Sequence, residues 1–168
     1  YSNFGAGLLG YVLARAAGGD FTNDFEALVR IRILQKLGMK DTAITLSADQ
    51  QARFAIPHDP YARPTSPWHL PSLGGAGAVR SSANDMLIFL AAALDPQSPI
   101  GPAMALTLSE RLGPADGPQT ALGWMVMHPP SGEILHHGGG TGGFRTHMAV
   151  QPETGRAVVV LTNAAIEP

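Results

Sequence analysis

Two clusters of residues in this sequence could transfer protons and stabilise a developing anion. Tyr1 and Asn3 stand at the start of the chain, and two histidines, five glycines and a threonine occupy positions 136–143. A histidine can act as an acid, a base or an anion partner near neutral pH. Glycine N–H groups can approach a ligand closely because no side chain intervenes. Each cluster alone is weak evidence, because most single histidines are structural and a terminal tyrosine is commonly frayed.

Composition leaves the role of the glycine run open. A glycine run immediately before a strand can supply an oxyanion-hole donor, and it can equally form a flexible hairpin loop. A phosphate-binding loop is not indicated, because no Lys-Ser or Lys-Thr follows and residues 144–151 alternate as a strand does. The six histidines lack the spacing typical of metal sites, so we predict no metal ion and no cofactor.

The overall composition describes a globular domain of modest charge. The 168 residues are 45% hydrophobic and 14% charged, with a formal net charge of −2. Neither disorder nor nucleic-acid binding is therefore expected. No apolar run reaches the roughly 20 residues of a membrane span. The absence of cysteine excludes disulfides and thiolate metal sites.

Helical periodicity marks three segments in the first part of the chain. Gly18-Gly19 and Gly38 should end the first two helices, while Thr22 and Ser82 should begin the second and third. The predicted buried faces are Phe4, Leu8, Leu9, Val12 and Leu13 in the first helix, Phe25, Val29, Ile33 and Leu37 in the second, and Met86, Leu87, Leu90 and Leu94 in the third.

Residues 55–80 interrupt this periodicity with five prolines and a Gly-Gly-Ala-Gly sequence. We expect an ordered loop, because Trp68 and His69 would be costly to leave unpacked. Beyond it, Asp85 occupies the capping-box position of the third helix, which Asp95-Pro96 should end. A weaker helix is predicted within residues 99–112.

The last third of the chain shows strand-like patterns. They predict strands over the apolar runs 121–128 and 133–137, an alternating strand 144–151, a turn 152–155, and a buried strand 157–162. Segments 144–151 and 156–162 should pair as an antiparallel hairpin. The fold class is therefore α+β, with helices that precede and cover an antiparallel sheet. We expect a single domain over 1–168, mainly helical over 1–112 and built of strands over 121–163.

The order of these segments resembles that of class C β-lactamases and penicillin-binding-protein-like serine hydrolases. Tyr1-Ser2-Asn3 leads into a helix, and segments 37–42, 74–85 and 136–144 follow in the family's order. The resemblance extends from Tyr1 to Asn163. The Tyr-x-Asn motif and segment 136–144 are its specific parts, and the other two segments are only supportive.

The resemblance implies an active site in a cleft between the helices and the sheet. It assigns proton transfer to Tyr1, contact with the substrate amide to Asn3, the family's sheet motif to His137, Gly138 and Gly139, and one oxyanion donor to the N–H of Gly140. The implied substrate is a β-lactam, a D-amino-acid peptide or a small ester. A periplasmic or secreted location is also implied.

The sequence departs from the family pattern in three places. His137 replaces the usual lysine, as in esterase-like and peptidase-like members, and Ala165 stands where some lactamases place an asparagine. No serine is followed three residues later by lysine, so the Ser-x-x-Lys nucleophile is absent. We therefore predict part of a larger enzyme that is inactive alone, with exposed apolar faces that bind the missing N-terminal segment or self-associate. The alternatives are a non-catalytic module that binds peptidoglycan or peptides, and an esterase of the same fold.

Overall fold

The computed structural model describes residues 1–18, 24–114 and 117–166, in which helices precede one antiparallel sheet. The helices are α1 (Asn3–Ala17), α2 (Phe25–Val29), α3 (Gln35–Leu37), α4 (Ala48–Ala52), α5 (Ala83–Leu94) and α6 (Gly101–Ser109). The strands are β1 (Gln119–Ala121), β2 (Trp124–Met127), β3 (Ile134–Thr141), β4 (Phe144–Gln151) and β5 (Arg156–Thr162). A π-helical turn, Arg30–Leu34, joins α2 to α3. The predicted α+β class is confirmed.

Helix α1 buries a different face from the one that its apolar residues predict. Its buried residues are Gly7, Gly10 and Ala14, whereas Phe4 is 68% exposed. The small residues allow close backbone contact with the 3₁₀ turn at Gly74–Ala76, since a Cβ on Gly10 would lie 3.2 Å from the Cα of Gly75. The predicted face is therefore wrong, and its members are exposed: Phe4, Leu8, Leu9, Val12 and Leu13.

The second helical segment begins with Asp24, whose carboxylate accepts a hydrogen bond of 2.8 Å from the N–H of Ala27. The predicted cap, Thr22, lies outside the described residues, as does Gly19. Gly38 ends the segment with a φ of 69°, as predicted. The π-helical turn shifts the helical phase, so Leu34 is buried while the predicted Phe25, Val29, Ile33 and Leu37 are half-buried.

Helix α5 confirms the predicted cap, because Ser82 Oγ accepts a hydrogen bond from the N–H of Asp85 at 3.2 Å. Leu90 is fully buried, but Leu87 is 47% exposed, so its predicted burial is wrong. Asp85 is 5% exposed. Its carboxylate accepts hydrogen bonds from the N–H of Asp41 at 2.8 Å and from Thr42 Oγ1 at 2.7 Å, and so links α5 to the segment that follows α3 in place of the capping box.

The sheet has the strand order β1-β2-β3-β4-β5, and all neighbours are antiparallel. The predicted hairpin of β4 and β5 is confirmed, with Gln151 opposite Arg156. The single strand predicted over 121–128 is wrong. Gly123, with a φ of 86°, breaks it into the hairpin of β1 and β2. Helix α6 lies within the predicted range 99–112.

The core lies between the sheet and helices α5 and α6. Its buried residues are Leu90, Ala92, Ala93, Ile100, Met104, Ala121, Trp124, Leu135 and Val150. On the opposite face of the sheet, Val158 is 51% and Val160 54% exposed. The predicted burial of the strand 157–162 is therefore wrong, because every residue of β5 except Val159 is exposed. Apolar side chains are thus uncovered on that face as well as on α1. No helix in the described ranges is long and apolar enough to cross a membrane.

The proline-rich segment 55–80 is held against the strands, in agreement with the prediction of an ordered loop. The N–H of His58 donates to the carbonyl oxygens of Asn163 at 2.9 Å and Gly143 at 3.3 Å, while Asn163 Nδ2 donates to the Ile56 carbonyl oxygen at 2.9 Å. The N–H of Thr65 donates to the Pro57 carbonyl oxygen at 2.9 Å. These bonds fix the loop to the β3–β4 turn and the end of β5.

Candidate active site

The structure brings the Tyr-x-Asn motif at the start of the chain against the histidine- and glycine-rich segment 136–144. Ser2 caps α1 by accepting a hydrogen bond from the N–H of Gly5 at 3.1 Å, which places Tyr1 just before the helix and Asn3 at its first position. Tyr1 is 83% exposed, and its ring centroid lies 5.6 Å from that of His137 in β3. Asn3 is also exposed. Tyr1 and Asn3 are therefore both exposed at the start of α1.

Strand β3 has an unpaired edge beside this helix end. On one side, its pairing with β2 ends where Met125 faces His136, whereas on the other side its pairing with β4 continues to Thr141. No strand of the described ranges pairs with residues 137–141 on the β2 side. Successive backbone groups of a strand point to alternate sides, so this edge offers N–H and C=O groups to an extended ligand.

The glycine run is divided between a strand and a turn. Gly138, Gly139 and Gly140 lie within β3, and Gly142-Gly143 forms the turn into β4, with a φ of 77° at Gly143. The run therefore continues the strand and does not simply precede it. A Cβ on Gly138 would lie 3.0 Å from His147 Nδ1, and one on Gly140 would collide with the guanidinium group of Arg145. The neighbouring side chains of β4 thus occupy the space beside these glycines.

The two adjacent histidines face opposite sides of the sheet. His137 lies on the same face as Leu135 and contacts Tyr1, whereas His136 stacks on His147 with ring centroids 5.2 Å apart. Burial, then the positive charges that His147 and His137 can carry, lower the pKa of His136 below 6.5. The buried Nδ1 of His136 has no hydrogen-bond partner among the described residues. Of the pair, His137 is the one that lies beside Tyr1.

One aromatic residue at this end of the sheet was not among the predicted site residues. Trp68 is 58% exposed, and a Cβ on Gly142 would lie 2.6 Å from its Cδ1. Arg80 Nη2 donates a hydrogen bond of 3.3 Å to the carbonyl oxygen of Trp68. The sequence signal was a tryptophan in a proline-rich loop, but nothing in the spacing showed that this loop lies on the β3–β4 turn.

The remaining predicted features carry less information. Ala165 donates its N–H to the carbonyl oxygen of His58 at 2.9 Å and so helps to hold the loop. Within the described part of the chain, no three His, Cys, Asp or Glu side chains are grouped to hold a metal ion. The sequence contains no Ser-x-x-Lys, so the site has no family nucleophile of its own.

Taken together, an α+β fold, a Tyr-x-Asn at a helix start and a His-Gly-Gly strand beside it define the serine hydrolases related to β-lactamases and penicillin-binding proteins. The family model described as Beta-lactamase matches residues 1–168, and the chain belongs to that family. It is 33% identical over 184 residues to the D-alanyl-D-alanine-carboxypeptidase/endopeptidase AmpH of Escherichia coli K12, covering 99% of this chain and 46% of that protein. A β-lactamase of Pseudomonas fluorescens is 27% identical over 199 residues, covering 97% of this chain and 54% of the relative.

Solved structures share the fold. The class C β-lactamase of Rhodobacter sphaeroides superposes with a TM-score of 0.83 at 27% identity, over 100% of this chain and 56% of that one. The D-alanine carboxypeptidase AmpC of Burkholderia cenocepacia gives a TM-score of 0.86 at 22% identity, over 99% and 56%. The chain thus spans about half the length of the relatives it matches.

Proposed function

We propose that this chain carries the Tyr-x-Asn and β3 parts of a serine hydrolase that cleaves an amide or ester carbonyl through an acyl-enzyme. The observation that supports this most strongly is the contact of Tyr1 with His137, next to the unpaired edge of β3. It places a phenol, an imidazole and free backbone donors around one exposed space. Tyr1 and His137 lie near opposite ends of the sequence, and the fold brings them together.

In the proposed reaction, a serine oxygen attacks the substrate carbonyl and forms a tetrahedral oxyanion. The N–H of Gly140 donates to this oxyanion, and the second donor is the N–H of the serine itself. Tyr1 accepts the serine proton and passes it to the leaving nitrogen or oxygen, while Asn3 orients the substrate amide. Water then cleaves the acyl–serine ester, which releases the acid and restores the serine.

The isolated chain is proposed to be inactive because it supplies no Ser-x-x-Lys. Removal of one oxyanion donor alone typically costs about 10²–10³ in rate, and removal of the nucleophile leaves no covalent step. The nucleophile would have to come from a segment of the protein outside this chain.

The proposed substrates are β-lactams, D-amino-acid peptides and small esters. The names of the relatives in E. coli and P. fluorescens support the first two, since these relatives are a D-alanyl-D-alanine carboxypeptidase/endopeptidase and a β-lactamase. The replacement of the family's lysine by His137 supports peptides or esters over β-lactams, because it removes a permanent cation from β3. A periplasmic or secreted location is part of the same proposal.

A panel of three substrates tests which of these classes the enzyme cleaves. The product of the complete reading frame would be assayed with benzylpenicillin, a peptide ending in D-Ala-D-Ala, and a p-nitrophenyl ester. Turnover of any one supports the hydrolase and names its class, and turnover of the ester alone identifies the esterase alternative. A complete reading frame without Ser-x-x-Lys, whose product binds the peptide but turns over none of the three, would instead support the binding module.

The uncovered apolar faces support a proposal about partners. Phe4 of α1 is 68% exposed, and Val158 and Val160 of β5 are more than half exposed. Patches of this kind are typical of interfaces, and we assign them to a segment outside this chain or to self-association. Sedimentation velocity over a concentration series tests it. Self-association predicts a rising sedimentation coefficient, and a monomer throughout would leave only the missing segment.

A further inference from the structure

We infer that Arg145 is a positioning residue for the proposed reaction, because its guanidinium group lies behind Gly140 and strengthens the N–H of that glycine as an oxyanion donor. The inference rests on the proposed function for the role of Gly140, and on the structure for the place of the arginine. Arg145 belongs to β4, and no motif of the sequence marks it as part of the site.

The guanidinium group of Arg145 lies against the backbone of Gly140. The two residues face each other across the β3–β4 ladder. A Cβ on Gly140 would lie 2.9 Å from Cζ and 3.4 Å from Cδ of the arginine, and closer still to Nη1. Position 140 therefore has no room for a side chain while Arg145 keeps this conformation.

The arginine occupies the face of the sheet opposite His137. Side chains alternate along a strand, so position 140 shares a face with His136, whereas His137 shares one with Leu135. The face on which Tyr1 meets His137 is therefore not the one that Arg145 covers. Its charge acts on the site from behind the strand, through the Gly140 backbone.

The separation is short enough for this charge to affect a rate. Since a carbon–carbon bond is about 1.5 Å long, Cζ of Arg145 lies within about 4.5 Å of the Gly140 Cα and within about 6 Å of the Gly140 nitrogen. An oxyanion that accepts from this N–H would lie about 3 Å beyond the nitrogen. At the effective dielectric of a partly buried site, opposite charges about 8 Å apart change a rate about tenfold.

The composition of β3 explains what such a charge contributes. In the proposed assignment, His137 takes the place of the family's lysine, and a histidine is not a permanent cation. A guanidinium group carries its charge throughout the pH range in which enzymes work. Arg145 therefore supplies, from the neighbouring strand, a permanent positive charge that His137 does not supply on β3.

Phosphonylation of the product of the complete reading frame tests the inference. A serine oxygen displaces fluoride from an uncharged fluorophosphonate, and the negative oxygen of the transition state takes the place of the oxyanion. Intact-mass spectrometry over a range of probe concentrations separates probe binding from the rate at saturation. Arg145→Met should lower the saturating rate about tenfold and leave the half-saturating concentration unchanged. Arg145→Lys keeps the charge and should retain most of the rate.

Two further variants separate the charge from the packing. Arg156→Met removes an exposed arginine at the far end of the same hairpin, opposite Gln151, and should be labelled as the wild type is. Gly140→Ala keeps the donor N–H but displaces the guanidinium group. It should slow labelling in the wild type and have little further effect when combined with Arg145→Met. Thermal melts check that each variant is folded.

The outcomes distinguish this inference from the proposed function. Equal saturating rates for the wild type and Arg145→Met would overturn the inference, as would a rate for Arg145→Lys as low as that of Arg145→Met. In both cases the labelled serine would still support the hydrolase. A complete product that forms no adduct would contradict the proposed function, and the role of Arg145 with it.

Discussion

The ring centroids of Tyr1 and His137 lie 5.6 Å apart, with ring planes inclined by 58°. This contact joins the start of α1 to the middle of β3, and it is the structural basis for placing the site at the β3 edge. In the proposed assignment, His137 takes the position of the family's lysine, so the phenol faces an imidazole instead of a permanent cation. The predictions below test this site and the elements that position it.

Replacement of Tyr1 by Phe removes the proposed proton carrier and keeps the ring. In the product of the complete reading frame, kcat should fall by about 10²–10⁴, the usual contribution of general acid–base catalysis. Tyr61→Phe is the matched control, because Tyr61 is 78% exposed and its ring contacts Arg63 of its own loop. Steady-state kinetics on the best substrate measure both. Equal, small effects of the two changes would contradict the role of Tyr1.

Asp85 should be a major contributor to stability. Its buried carboxylate accepts hydrogen bonds from Thr42 Oγ1 and from the N–H of Asp41. Asp85→Ala leaves these donors without their charged acceptor, which should lower the free energy of unfolding by about 2–4 kcal/mol. Urea denaturation measures the change. Asp49→Ala, which removes an exposed ion pair with Arg53, should have little effect, and a larger loss there than at position 85 would refute the assignment.

The close contact between α1 and the 3₁₀ turn at Gly74–Ala76 predicts a strict need for glycine at position 75. A Cβ on Gly75 would lie 2.6 Å from the backbone oxygen of Ala6, which cannot move away as a flexible side chain could. Gly75→Ala should therefore lower the melting temperature. The control is Gly5→Ala in α1, where the atom nearest to an added Cβ is 3.4 Å away. This change should be neutral or stabilising. If Gly75→Ala melts as the wild type does, the packing of α1 is not as described.

His136 predicts a stability that depends on pH. Its pKa in the folded chain is lowered, first by burial and then by His147 and His137, from 6.5. As the pH falls below about 6.5, the unfolded state binds the proton before the folded state does, so the free energy of unfolding decreases until the pH passes the lowered pKa. Above 6.5 this effect is absent. His136 therefore lowers the free energy of unfolding only below about pH 6.5.

Thermal melts of the wild type and of His136→Gln across this pH range check the prediction. The glutamine variant should lose less stability on acidification than the wild type. His69→Gln, at an exposed position of the long loop, serves as the control and should retain the wild-type slope. Identical slopes for the wild type and His136→Gln would show that His136 does not carry the effect.

Local signals predicted most of the elements, because helix caps and alternating strands depend on neighbouring residues. Ser82, Gly38 and the β4–β5 hairpin are examples. The errors are of two kinds: which face of an element is buried, and the single strand predicted over 121–128, which Gly123 breaks into a hairpin. The apolar residues of α1 predicted burial, yet the helix packs through glycines, since the apolar face has no partner in the described ranges. Periodicity locates a helix but cannot tell which of its faces meets the rest of the chain.

The candidate site was predictable only in part. Tyr1, Asn3 and His137 followed from motif order, and the structure brings Tyr1 and His137 into contact. The position of Trp68 at this end of the sheet did not follow from the sequence, because it depends on bonds between residues far apart in sequence, such as the His58 N–H with the Asn163 carbonyl oxygen. The collision of a Gly140 side chain with Arg145 likewise depends on strand register, which motif spacing does not reveal.

The most direct test of the account is intact-mass spectrometry after incubation with a penicillin probe and with a fluorophosphonate. It would be applied to this 168-residue chain and to the product of the complete reading frame. The account predicts a covalent adduct on a serine of the longer product and none on the chain alone. An adduct on the chain itself would show that a nucleophile is present here and that its assignment to a missing segment is wrong. The absence of an adduct on both products would contradict the serine acyl-enzyme.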